Sequence, residues 1–184
     1  MRPVLVWDLP VRLFHALLAA GFLVAFAIAR FQGEDSPAFP AHMGIGITLA
    51  VLVLVRLVWG FVGTRWAQWS ALVHGPSDFS DNLRHLVRPG GRHFTGHTPL
   101  SSLGIVAMLA LVLGLAFTGY AYTTGNEAFE ELHPLLANGM ALLVAIHVAG
   151  VVLHQVVHGG RIVLGMVDGR KVAPEEDAIP GSRP

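Results

Sequence analysis

The sequence predicts an all-α fold, an integral membrane four-helix bundle with both termini cytoplasmic, and three observations predict it. Hydrophobic residues make up 53% of the 184 and charged residues only 13%, with a mean hydropathy of +0.59; a soluble domain carries about twice that share of charge. Four apolar stretches, residues 11–29, 41–62, 99–121 and 134–157, are each long enough to cross a bilayer at about 1.5 Å per residue. The arginines and the lysine between and beyond them fall almost entirely on alternate connections.

Span 11–29 follows Trp7 and Asp8. Ala27-Ile28-Ala29 resembles a cleavage site, but the apolar run is long, so it reads as a retained span rather than a signal peptide. Span 41–62 carries Arg56, the only basic residue well inside a span. The long connection 63–98 contains Pro76, Ser77 and Asp78 ahead of a short amphipathic run to Val87, which predicts an interfacial helix ended by Pro89-Gly90-Gly91. Spans 99–121 and 134–157 complete the bundle. None of the four alternates as a barrel strand would, and a lone strand in lipid would leave its backbone unpaired, so all four must be helical. The bundle is expected over residues 1–171, with 172–184, rich in Pro, Asp and Glu, as a disordered cytoplasmic tail.

Orientation follows from arginine and lysine. Arg2 and Arg12, then Arg65, Arg84, Arg88 and Arg92, then Arg161, Arg170, Lys171 and Arg183 lie on one side; the other has Arg30 against Glu34, Asp35, Glu127, Glu130 and Glu131. The positive-inside rule makes the first side cytoplasmic. With zero formal net charge the chain has no expected nucleic-acid partner, and membrane lipids are its surroundings. It has no cysteine, which excludes disulfides, thiolate zinc sites, iron–sulfur clusters and covalently attached c-type haem.

Ten histidines remain. Ionisable side chains within spans are costly and usually face the bundle interior with a partner. His15, His42, His133 and His147 meet that description. Measured from the outer boundary, near Ala29, His42 and His133, both His15 and His147 lie 14 residues in, about 21 Å at helical rise. His15 therefore shares a depth with His147, and His42 with His133. Fourteen residues turn a helix to within about 40° of its starting direction, so one face of the last span serves both depths. A porphyrin held between opposed imidazoles needs two ligands on separate helices at equal depth. The competing reading is that each histidine only makes a hydrogen bond in the core.

Arg56, 14 residues from His42, is level with the inner pair and a candidate propionate contact; snorkelling to the headgroups is the alternative. Gly44, Gly46, Gly60, Gly63, Gly104, Gly114 and Gly119 suggest close packing first and room for a macrocycle second. Met43 reads as packing. Trp59, Trp66 and Trp69 read as inner interfacial anchors, Tyr120 and Tyr122 as outer ones. His154 and His158 read as interfacial, with a propionate, quinone or metal contact as the lesser reading; His74, His85, His93 and His97 belong to the connection, and His97 directly precedes the third span.

Together, Trp7-Asp8-Leu9-Pro10-Val11-Arg12-Leu13-Phe14-His15, His42 with Arg56-Leu57-Val58-Trp59-Gly60-Phe61-Val62-Gly63, Gly96-His97-Thr98-Pro99-Leu100, the His133 to His147 interval and Met166-Val167-Asp168-Gly169-Arg170-Lys171 resemble the prokaryotic cytochrome b561 family, which includes the b-type cytochrome subunits of nickel-iron hydrogenases. The resemblance implies a four-helix di-haem bundle of a bacterial inner (cytoplasmic) membrane, with two haems b held by His15–His147 and His42–His133. Thr98 and Ser101 depart from the asparagine and second glycine common there. Irons with two imidazole ligands keep no open position, which leaves electron transfer as the function. A quinone, a c-type cytochrome, a redox enzyme subunit and a second copy of the chain are the candidate partners. The rival readings are a histidine-based proton or metal-ion transporter and a membrane anchor subunit of a redox enzyme.

Overall fold

The structure is a computed structural model and describes residues 2–87, 95–158 and 162–173. Its elements in order are β1 (Arg2–Leu5), α1 (Leu9–Phe31), α2 (Phe39–Val62), α3 (Pro76–Arg84), α4 (Pro99–Thr123), α5 (Leu132–His158), α6 (Ile162–Asp168) and β2 (Arg170–Ala173), with short 3-10 turns at Arg65–Ala67, Trp69–Leu72 and Glu127–Phe129. Among the described residues, helices α1, α2, α4 and α5 are the four long enough and apolar enough to cross a membrane. Each end lies within two residues of the span read from hydropathy.

The chain divides into two compact units, one of Met1–Arg12, Trp59–Ile105 and Ala145–Pro184, the other of Leu13–Val58 and Val106–Val144. The first contains the strands. Here β1 and β2 pair antiparallel, Arg2 opposite Ala173 and Leu5 opposite Arg170. This ribbon corrects the expected tail: disorder was read from residue 172, but residues 172 and 173 are strand, and residues 174–184 lie outside the described residues. The turn into β2 requires Gly169, whose φ is +81° and where a Cβ would come within 2.5 Å of the Trp7 carbonyl oxygen. Its own carbonyl accepts from the amides of Val6 (2.8 Å) and Trp7 (3.0 Å), while its amide caps α6 at Gly165 (2.8 Å).

Asp8 is the polar centre of this unit. One carboxylate oxygen accepts from the Val11 amide at 2.9 Å, capping α1; the other accepts from the Trp59 indole at 3.0 Å and the Thr64 hydroxyl at 2.8 Å. Burial would raise its pKa, but the Val11, Thr64 and Trp59 donors outweigh it and hold the carboxyl below its usual range. Around it Val6, Trp7, Val11 and Ala67 form a buried cluster, with Val4, Trp59, Trp66 and Met166 packed on it. Trp59 thus packs and donates a hydrogen bond within the unit, and Trp66 packs there, contacts beyond those of an interfacial anchor. Trp69 fills the space left by Gly60, where a Cβ would lie 2.2 Å from its indole nitrogen. Lys171 donates to the Gly96 carbonyl at 2.9 Å and sits 4.9 Å from the centre of the Trp7 ring, and burial pushes its pKa down to about 8.

Helix α3 begins with Pro76 in its first turn and the Gly75 amide bonded to the Asp78 carboxylate at 3.0 Å. It stops at Arg84, short of the expected Val87, where His85 closes it by bonding the Asp81 carbonyl through both its amide and its ring. Pro89-Gly90-Gly91 lies outside the described residues. Two contacts tie this connection to α4: His74 to the Ser102 hydroxyl (3.0 Å) and the Leu100 amide to Asn82 (3.3 Å).

In the second unit Gly21 admits the Leu49 side chain, where a Cβ would come within 2.7 Å, and Gly114 faces Leu136. Phe22, Ala25, Leu49, Val53, Leu109, Val112 and Met140 are buried. Leu13, Leu17, Leu23, Ile47, Val51, Leu54, Leu135 and Leu142 are exposed, an apolar surface that suits lipid rather than water.

Candidate functional site

His42 lies in the first turn of α2. The Phe39 ring stacks on its imidazole at 5.3 Å, and its Nδ1 is 2.9 Å from the Ala25 carbonyl on α1. A carbonyl only accepts, so Nδ1 carries a proton, and in the neutral ring Nε2 keeps its lone pair. His133, in the first turn of α5, has its Nδ1 3.0 Å from the Thr118 hydroxyl on α4. That hydroxyl has one proton and directs it to the carbonyls of Gly114 (2.8 Å) and Leu115 (3.2 Å). Its lone pair then accepts from the His133 Nδ1–H, and the hydrogen-bond network assigns both histidines the same tautomer, Nε2 free.

The centres of these two rings are 6.1 Å apart and their planes are inclined at 80°. Two imidazoles on opposite sides of one metal ion, with nitrogens about 2 Å from it and ring centres about 1 Å behind the nitrogens, lie about 6 Å apart. The separation therefore suits a pair of ligands sharing an ion. Fixing Nδ1–H on an acceptor is also the usual arrangement for a metal-binding histidine. Gly119 gives the His133 ring its seat, since a Cβ there would come within 3.1 Å of Cε1. Gly46, one turn after His42 on the same face, and Gly44 both border open space. Among the described residues no three His, Asp or Glu side chains gather as a metal cage, whereas a haem would need only a pair of imidazoles from the protein. The donor set fits haem b.

The other predicted residues are placed as follows. His15, on α1, has an exposed side chain, and His147, on α5, is half-buried. Arg56, on α2, is 5% exposed, so its guanidinium is packed inside rather than snorkelling. His97 lies beside Trp7 with ring centres 4.5 Å apart. His74 bonds Ser102, with burial lowering its pKa, and His85 pairs with Asp81 at 3.3 Å. His154 is half-buried, His158 closes α5, and His93 lies outside the described residues. Gly60, Gly63 and Gly119 make close contacts, Gly114 leaves ordinary van der Waals space toward Leu136, and Gly44, Gly46 and Gly104 border open space. Met43 is exposed.

The residues missed at the sequence level are Thr118 and the Ala25 carbonyl. A main-chain acceptor has no sequence signature. Thr118 had one: a hydroxyl inside an apolar span near its outer end, beside the glycine that clears the ring.

Comparison with known proteins bears on this site. The family model for prokaryotic cytochrome b561 matches residues 6–169. The probable Ni/Fe-hydrogenase B-type cytochrome subunits of Bradyrhizobium diazoefficiens and Rhizobium leguminosarum bv. viciae are each 22% identical, the first over 92% of this chain and 87% of its own, the second over 96% and 92%. That of Azotobacter vinelandii is 29% identical over 64% of this chain and 58% of its own. No solved structure matches. With four apolar helices and a match over most of its length, the chain belongs to the prokaryotic cytochrome b561 family, as a multi-pass membrane cytochrome that takes haem b and serves electron transfer.

Proposed function

We propose that this chain carries electrons across a bacterial inner membrane through two haems b, between a quinone pool and a redox partner protein, with both termini in the cytoplasm. The observation that carries the reading is the His42–His133 pair, whose ring centres lie 6.1 Å apart with both Nδ1 atoms engaged. These residues would hold the outer haem. His15 and His147 would hold the inner one, a pairing that rests on their common 14-residue depth. Bound haem supplies a one-electron iron couple with no open coordination position. The chain's part is to orient the imidazoles, keep Nε2 unprotonated and exclude water. Arg56, buried on α2, is a propionate counter-charge in this reading.

The relatives' names point to a redox enzyme subunit as the partner; a c-type cytochrome is the alternative, favoured by the acidic residues of the outer connections. The test is a pyridine haemochrome assay on purified protein. Haem b at two per chain is expected, falling to one in His42→Ala and one in His147→Ala, with reduction by quinol in the parent. A folded, haem-free preparation would sink the reading in favour of the histidine transporter or the anchor subunit.

A further inference from the structure

We infer that Thr118 is a positioning residue that sets the potential of the outer haem through His133; the inference rests on His133 being a ligand. The two imidazoles are held differently. His42 gives its Nδ1–H to a peptide carbonyl, Ala25, which no side-chain substitution removes. His133 gives its own to a hydroxyl. That hydroxyl does not rotate freely, because its proton is committed to the Gly114 and Leu115 carbonyls one turn back, and a hydroxyl already donating is a stronger acceptor. Thr118 is 3% exposed, so water does not substitute for it.

Gly119 completes the arrangement. With a Cβ there the ring would be met at 3.1 Å; without one, the imidazole lies flush against the helix whose preceding residue accepts its proton. Two adjacent positions of α4, a span that contributes no ligand of its own, thus set both the placement of His133 and the charge it donates. An accepted Nδ1–H makes an imidazole more electron-rich and so favours the oxidised iron. Loss of the acceptor moves the potential upward.

The experiment compares Thr118→Val, which keeps the side-chain shape without the acceptor, with Thr118→Ser, which keeps the acceptor, in the purified haem-loaded protein. Optical redox titration of Thr118→Val is expected to show one haem shifted to higher potential and the other unmoved, with altered low-spin electron paramagnetic resonance signals and haem retention on dilution lowered about tenfold. Thr118→Ser is expected to restore all three. If Thr118→Val binds both haems with unchanged potentials and signals, the inference is overturned. His133→Ala separates this from failure of the underlying reading: loss of one haem keeps His133 as a ligand, whereas retention of both removes the premise.

Discussion

Asp8, in the unit that holds the two strands, has both carboxylate oxygens engaged by the chain, from the Val11 amide, the Trp59 indole and the Thr64 hydroxyl. His42 and His133, in the other unit, each spend one ring nitrogen on the chain and keep the other. Both are polar groups in apolar surroundings, where an unmet hydrogen bond costs about 1–3 kcal/mol. The difference teaches how to tell a structural polar residue from one proposed as a ligand: the structural one is saturated from within, and the proposed ligand is held firmly and left one valence short.

The largest expected effect is on the saturated side. Asp8→Ala removes a helix cap and strands an indole and a hydroxyl, and is expected to cost about 2–4 kcal/mol, read as a lowered midpoint in detergent thermal unfolding. The same carboxylate makes this unit acid-sensitive. Its folded pKa is depressed, so its stabilisation is present above the unfolded value of about 4 and is lost as pH falls through the lower folded value. An unfolding midpoint indifferent to Asp8→Ala would break the comparison.

Next come the glycines of the ligand side. Gly119→Ala is expected to displace the His133 ring by a few tenths of an ångström and lower haem content, whereas Gly104→Ala, on the same helix but facing open space, is expected to leave the spectrum unchanged. Equal effects from both would mean that the contact with His133 is not what matters.

The smallest effect concerns Lys171, the chain's one lysine. Its folded pKa, about 8, is below the unfolded value. Between pH 8 and about 10.4 the unfolded chain therefore binds more protons, and stability rises with pH. Lys171→Met is expected to flatten that rise, seen as equal unfolding midpoints at mildly and strongly alkaline pH.

What the sequence made legible tracks the range of the forces involved. Helices α1, α2, α4 and α5 were visible because the membrane imposes a long, local apolar run on each. His42 and His133 were legible as a pair because each stands at the outer start of an apolar span. The ribbon was invisible: each strand has four residues, and their pairing joins positions about 165 apart with no periodicity to reveal it. The partner of Trp59 was hidden for a related reason, since an indole near a span's end looks the same in sequence whether or not it also meets a buried carboxylate. Thr118 was passed over because a hydroxyl in a helix can satisfy itself on the preceding turn, as this one also does.

The ribbon has a consequence for synthesis. Leu5 is made about 165 residues before Arg170, its partner across the sheet, an interval of about 10–30 s at ordinary elongation rates. Asp8, Trp59 and Thr64 can come together while the chain is still growing, but β1 and the amides of Val6 and Trp7 wait for Gly169 and β2. The first strand to leave the ribosome is among the last to find its place, so a chain cut short before Gly169 carries an unpaired strand and a cap that cannot close.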